Sequence, residues 1–155
     1  MPLFVGEFEQ SIDAKKRLAI ASALREGMDP EEDGANFYLV LGPDRHLWLY
    51  PDKYYRRLVS KIRRSPLPKK QAAGLNMLFA MARVVKTDSQ GRVVLPEKSM
   101  ERAIVDKKVT VVGNGDHIEI WPTAAWEAQI GESLGVYGEL LEEAAAMLDE
   151  TAPEE

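Results

Sequence analysis

The chain has 155 residues, 45% of them hydrophobic and 29% charged, enough for one domain with a real core or for two small modules sharing one. It has no cysteine, which excludes a disulfide framework, a thiolate zinc site and a cysteine nucleophile. A net charge of −5 argues at first sight against a nucleic-acid partner, because phosphate binding needs a surplus of Lys and Arg.

The distribution of charge reverses that inference. Residues 132–155 hold eight acidic side chains and no basic one, which leaves 20 basic against 17 acidic residues in the rest of the chain. Residues 53–86 hold ten basic side chains and no acidic one, among them Arg56, Arg57, Lys61, Arg63, Arg64, Lys69 and Lys70. Local charge governs what a surface attracts, although a solvated helix face explains such a run equally well. No stretch approaches the roughly 18 apolar residues of a membrane span, and the start MPLFVGEFEQ lacks a basic region and a long apolar run, so a cytoplasmic location is expected.

Taken in chain order, the first predicted elements are a strand pair around Asp13 and a short helix over 22–28, followed by an acidic turn at 29–34. Residues 37–41 are rich in β-branched and aromatic side chains, Gly42-Pro43-Asp44 breaks the chain, and a second strand runs into Pro51, which together read as a hairpin. A helix is predicted from 52 to about 64, with Tyr55, Leu58, Val59 and Ile62 on one face, and another over about 69–81. Asp88 and Gly91 then mark a turn between strands at 82–87 and 93–95, because Asp caps such a turn and Gly accepts a positive φ. Pro96 suits the start of a helix over 97–105. Strands at 108–112 and from 118 flank Gly113-Asn114-Gly115-Asp116, and Thr123 is the N-cap candidate of a helix over 123–130. A last amphipathic helix spans 139–150, and 151–155 are expected to fray.

The same order occurs twice. Asp13-Ala-Lys-Lys-Arg-Leu-Ala-Ile-Ala21 returns as Asp88-Ser-Gln-Gly-Arg-Val-Val-Leu-Pro96 at an offset of 75, and His46-Leu-Trp-Leu-Tyr-Pro51 returns as His117-Ile-Glu-Ile-Trp-Pro122 at an offset of 71. Tyr55 and Trp126 each follow their proline by four positions. The four-residue difference fits an insertion at the exposed turn 29–34.

With these two motif copies the chain resembles the MraZ family, a branch of the AbrB-like DNA-binding proteins, over about residues 1–145. The family motif is Asp-x-Lys-Gly-Arg-x-x-x-Pro. Asp13, Lys15 and Arg17 match its first copy, and Asp88, Gly91, Arg92 and Pro96 its second. The first copy departs with Lys16 in place of Gly and Ala21 in place of Pro, the second with Gln90 in place of Lys. The resemblance implies an α+β fold of two tandem AbrB-like swapped-hairpin β-barrel modules forming a pseudo-dimer, with added helices. The corresponding organisation is a first module with its trailing helix at 1–66, a helical spacer at 67–81, a second module at 82–131 and an acidic helix and tail at 132–155. It further implies a transcription factor, not an enzyme, without cofactor or metal, that binds double-stranded DNA at short direct repeats in the promoter of its own division and cell-wall operon, sits at the nucleoid and assembles with itself into a closed ring.

A basic hairpin loop places Arg against a guanine edge in the major groove, while Lys neutralises phosphates. Lys15, Lys16, Arg17, Arg92 and Lys86 are therefore the expected DNA contacts, and Asp13, Asp88, Gly91 and Pro96 the turn-forming residues. Lys16 either adds a phosphate contact or reshapes its turn, and Gln90 weakens the second copy, so the first copy is expected to bind more strongly. Plainer readings exist for several of these. Arg17 and Arg92 could pair with acids such as Glu7 or Glu9. His46 and His117, at the same place in each copy, are expected to be structural turn residues and not ligands. Trp48, Trp121, Trp126, Tyr50 and Tyr55 are expected in the core in preference to base stacking, and Leu75, Leu78 and Phe79 in the core or at a subunit contact. The second functional class is an AbrB-like antitoxin or assembly module acting through a protein partner.

Overall fold

A computed structural model describes residues 1–63, 66–67 and 70–148. Both copies use the order strand, strand, helix, strand, strand, helix. The first contains β1 (Glu7–Ser11), β2 (Arg17–Ala19), α1 (Ser22–Arg25), β3 (Phe37–Leu41), β4 (Leu47–Pro51) and α2 (Asp52–Ser60). A short 3-10 turn (Lys70–Ala72) and α3 (Ala73–Met81) lead to the second, with β5 (Arg83–Val85), β6 (Arg92–Val94), α4 (Glu97–Ala103), β7 (Lys108–Gly113), β8 (Ile118–Pro122) and α5 (Thr123–Gly135). The chain continues into α6 (Tyr137–Ala146).

The copies interlock. Six strands form one antiparallel sheet in the order β1-β7-β8-β4-β3-β5, and β2 pairs with β6 in a separate two-stranded ribbon. The first strand of each copy thus lies against the third strand of the other, β1 on β7 and β5 on β3. The order reads the same from either edge with the copies exchanged, so the sequence repeat has become a pseudo-twofold axis. It passes between β4 and β8, where Leu47 faces Ile120, Trp48 faces Glu119 and Leu49 faces Ile118. The sheets do not close into barrels, so the barrel geometry implied by the family resemblance is not what the strands form.

Strand alternation explains the core. Leu47, Leu49, Ile118 and Ile120 are fully buried on one face of the sheet, together with Phe37, Leu39, Val109 and Val111. Leu18 and Val93, directly paired in the ribbon, point into the same cluster, joined by Leu24 of α1 and Met100 and Ala103 of α4. Each such Leu or Val contributes about 1.5–3 kcal/mol on burial. Because both copies supply them, the core exists only when the copies are interlocked. Residues Met1–Thr123 form one compact unit, and Ala124–Glu155 another.

Several helices end earlier than their periodicity suggests. The first, expected to reach 28, stops at Arg25, because the Gly27 carbonyl accepts a hydrogen bond from Leu3 N–H (2.8 Å) and its Cα lies where a Cβ would strike Leu3 O. The helix expected to reach 105 ends at Ala103. Ile104 takes a left-handed φ of 55° and Val105 N–H bonds back to Met100 O (3.1 Å), which is Schellman capping. The helix expected to about 64 ends at Ser60, and its predicted last residue Arg64 lies outside the described residues. So do Lys69 at the start of the 69–81 helix, Glu150 at the end of the last one, and 151–155. The α5 helix runs on to Gly135, beyond the expected 130.

Leu75, Leu78 and Phe79 are only half-buried, and α3 has no buried residue. Tyr55 is buried, whereas Trp48, Tyr50, Trp121 and Trp126 are half-buried and stand outside the main core.

Candidate nucleic-acid interface

The two motif copies fold into one turn geometry, built from a single side chain. Asp13 Oδ1 accepts from the backbone N–H groups of Lys15 and Arg17, both at 2.9 Å, while Oδ2 accepts from Arg17 Nε at 2.6 Å. Asp88 repeats this with Gln90 N–H (2.8 Å), Arg92 N–H (2.9 Å) and Arg92 Nε (2.9 Å). The backbone N–H of Arg17 does most to lower the Asp13 pKa, and with the guanidinium and the Lys15 N–H it outweighs an opposing burial penalty. Arg92 acts in the same way on Asp88, which is also lowered. Both carboxylates are therefore charged at neutral pH. Each arginine is held by an acid of its own turn.

The departures from the motif leave this geometry intact. Lys16 adopts φ 64° where Gly91 has 76°, and Lys16 N–H and Gly91 N–H make the same bond to Asp13 O (3.0 Å) and Asp88 O (3.1 Å). A side chain in this region costs roughly 1–2 kcal/mol, which the surrounding bonds hold in place. Ala21 (φ −51°, ψ 139°) and Pro96 (φ −62°, ψ 135°) share one extended conformation at the N-caps of α1 and α4. The first turn is strained, not reshaped.

Pairing in the ribbon sets where the arginines point. Arg17 is opposite Val94 and Ala19 is opposite Arg92, so these four residues share the face opposite Leu18 and Val93. Since Leu18 and Val93 are inward, Arg17 and Arg92 lie diagonally on the outward face, about 8 Å apart at their Cα atoms. Their side chains are 32% and 29% exposed, and Val94 between them is 56% exposed. The turns cap opposite ends of the ribbon and are tied across it, with Leu95 N–H bonded to Lys16 O (2.8 Å) and Ile20 N–H to Gly91 O (2.9 Å). Lys15 and Lys16 are exposed beside Arg17, and Gln90 beside Arg92. Lys86 is exposed on the segment leading from β5 into the second turn.

The basic run at 53–86 is partly structural. Lys53 Nζ bonds to Glu31 O (3.0 Å) and Arg57 Nη1 to Glu32 O (2.7 Å), which fastens α2 to the 29–34 loop, and Arg56 Nη1 bonds to Tyr38 OH (3.1 Å). Arg83 Nη1 caps the carbonyls of Ala80 and Ala82. Arg25, which no sequence signal singled out, lies with its guanidinium over Gly91. Only the tertiary fold brings that pair together.

The histidines are built into the seam between the copies. His117 is 7% exposed, stacks on Trp48 at 3.9 Å and places Nδ1 and Nε2 each 2.9 Å from a carboxylate, Asp116 and Glu119. Burial alone would lower its pKa, but the bonds and charges of Glu119 and Asp116 prevail and raise it. Burial would likewise raise Glu119, but bonds from His117, Asn114 and Trp121 hold it low. Tyr54 OH bonds to Asp116 (2.7 Å), and burial followed by that contact pushes its pKa up to about 12. His46 stacks on Trp121 at 3.9 Å. Among the described residues no group of three or more His, Cys, Asp and Glu is arranged to hold a metal, and no helix is long and apolar enough to cross a membrane.

Interlocked α+β modules, duplicated in sequence and presenting two Asp-anchored arginines on one outward ribbon, define an internally duplicated protein whose paired turns form one surface. The family described as "MraZ protein, putative antitoxin-like" matches residues 3–77 and again 78–138. The chain belongs to the MraZ family. Proteins named transcriptional regulator MraZ are similar over most of their length. That of Acetivibrio thermocellus is 34% identical over 94% of this chain and 99% of its own. That of Pediococcus pentosaceus is 36% identical over 84% and 89%, and that of Clostridium tetani 35% identical over 81% and 85%.

Proposed function

We propose that this chain is a sequence-specific DNA-binding transcriptional regulator whose reading surface is the outward face of the β2–β6 ribbon. The observation that carries the reading is the placement of Arg17 and Arg92, each oriented by its own aspartate, on one exposed two-stranded face. A two-stranded ribbon fits the major groove, and an arginine whose Nε is anchored keeps its terminal nitrogens for a guanine edge. Lys15, Lys16 and Lys86 neutralise backbone phosphates, adding affinity without sequence information. The exchange of strands between the copies supports a pseudo-dimer of the AbrB-like swapped-hairpin type, in which one chain presents two reading turns.

In this reading the protein acts in the cytoplasm at the nucleoid, on short direct repeats upstream of its own division and cell-wall operon. One ribbon covers few base pairs, so a closed ring of copies gains selectivity by engaging several repeats at high effective concentration. No cofactor takes part and no reaction is catalysed. The family's antitoxin-like description favours one second reading, a module that acts through a protein partner.

Fluorescence-anisotropy titration of the DNA upstream of the gene, with scrambled competitor and across a salt series, tests the proposal. Arg17→Ala removes selectivity and leaves folding intact, whereas Lys61→Ala has little effect. Equal losses in both variants would place the DNA face elsewhere, and capture of one specific small protein without promoter binding would favour the second reading.

A further inference from the structure

The two turns look unequal in sequence, since the second has Gln90 where the first has Lys15. Their surroundings in the fold are unequal in the opposite sense. The exposed side chain of Arg25, the last residue of α1, reaches from the first copy onto the second turn. A Cβ on Gly91 would lie 2.5 Å from its Cζ and Nε, so the guanidinium rests directly on the glycine. Nε donates to Ile20 O (3.0 Å), and Ile20 N–H donates to Gly91 O (2.9 Å). The backbone of Ile20 therefore fixes both the turn and the cation above it.

The pseudo-twofold partner of this arrangement carries no cation. At an offset of 75 residues Met100 takes the place of Arg25, and it is buried. Lys16 instead shares an open depression of about 370 Å³ with Met100 and the carboxylates of Glu97, Glu101 and Asp106. Beside the second turn α1 has no acid and Glu26 caps its C-terminal end, where the helix beside the first has Glu97 and Glu101, with Ser22 in the place of Glu97. Summed over both ends of the ribbon, the first turn has more cations of its own and more carboxylates around it, and the second has a borrowed cation.

We propose that Arg25 is a phosphate-binding residue of the DNA interface, lent by the first copy to the second turn in place of the cation that Gln90 lacks, so that both turns engage the duplex. This rests on the DNA-binding reading of the ribbon. With Nε committed to Ile20, the outer nitrogens of Arg25 lie over Gly91, the residue before Arg92, and are available to a phosphate flanking the base read by Arg92. A contact of this kind adds to affinity on any sequence and contributes about 0.9 to the slope of log K against log salt concentration.

The test uses the full chain and two duplexes of equal length, one from upstream of the gene and one of random sequence, titrated between 50 and 200 mM salt. Arg25→Met, which copies the first turn's neighbour, makes the slope shallower by about 0.9 on both duplexes, so that over this range it loses about 3-fold less affinity than the wild type. Arg25→Lys restores the slope, because it keeps the charge, whereas a residue that only packs on Gly91 would not be rescued in this way. Elution volume and thermal midpoint, read in parallel, identify any loss that comes from unfolding. An unchanged slope in Arg25→Met, or equal slopes in Arg25→Met and Arg25→Lys, overturns the proposal. If Arg17→Ala still removes selectivity in that case, the DNA-binding reading stands. If the wild type binds neither duplex, both fall.

Discussion

Arg17 and Arg92, 75 residues apart in sequence, share the outward face of a ribbon only three residue pairs long, each held through Nε by an aspartate four positions before it. Asp13 and Asp88 each satisfy two backbone donors as well as orienting a guanidinium. Asp13→Ala should therefore lower both thermal stability and DNA selectivity. Asp13→Asn should keep the turn through its amide oxygen while releasing the arginine. Anisotropy combined with circular dichroism separates the two: Asp13→Asn should fold normally yet bind with selectivity close to that of Arg17→Ala. Full selectivity in Asp13→Asn would show that the ion pair does not position Arg17.

Lys16 carries a side chain where the turn demands a positive φ. Lys16→Gly should relieve the strain and stabilise the protein by about 1 kcal/mol, while removing a phosphate contact and weakening DNA binding a few-fold at low salt. Stability and affinity then move in opposite directions. The reverse change, Gly91→Ala, meets both a φ of 76° and the Arg25 guanidinium, and should destabilise by more than 1 kcal/mol. Urea unfolding of both variants checks the pair, and a stabilised Gly91→Ala would contradict the geometry.

His117 stacks on Trp48 of the first copy while two carboxylates of its own copy hold its ring, and its raised pKa makes stability depend on pH. A group whose folded pKa is raised stabilises fully below its unfolded value, near 6.5, and this contribution is lost as pH rises through the folded value. Glu119, lowered from 4.5, behaves oppositely, losing its contribution as pH falls through the folded value. Thermal midpoints should therefore be highest between about pH 4.5 and 6.5 and fall on the alkaline side. His117→Gln should flatten the alkaline limb, and His117→Ala should cost about 3 kcal/mol by leaving Glu119 buried with less compensation. A wild-type curve flat from pH 6 to 9 would show that folding does not raise the His117 pKa.

Tyr54 links α2 of the first copy to Asp116 of the second. Tyr54→Phe removes that bond alone and should cost about 0.5–1.5 kcal/mol in equilibrium unfolding. No loss would indicate that the copies are held together by the core without help from this contact.

Much of this architecture is written locally. Asp-x-x-Gly-Arg at 88–92 encodes its turn because the same side chain that caps the backbone also holds the arginine, and the alternation at 37–41 encodes a strand. The repeat offsets locate the pseudo-equivalent residues in the sequence itself. The pairing of Leu18 with Val93 is not written locally, because strand exchange depends on which apolar faces meet after collapse. Arg25 is illegible for the same reason: its partner is Gly91, and no periodicity or spacing connects them. Helix ends depart from the periodicity where tertiary contacts decide them, as at Gly27, whose carbonyl accepts from Leu3 N–H. Half-buried Trp48, Tyr50 and Trp121 form a second polar and aromatic layer around His117 and Glu119, which apolar patterning cannot distinguish from core.

The most direct test of a single reading surface is anisotropy of the Arg17→Ala, Arg92→Ala double variant on the upstream duplex against scrambled competitor. Weak, salt-sensitive binding without sequence preference, by a protein that remains folded, is the result expected if the ribbon arginines read the bases. Selectivity equal to that of the wild type would contradict it and move the DNA interface to another face of the molecule.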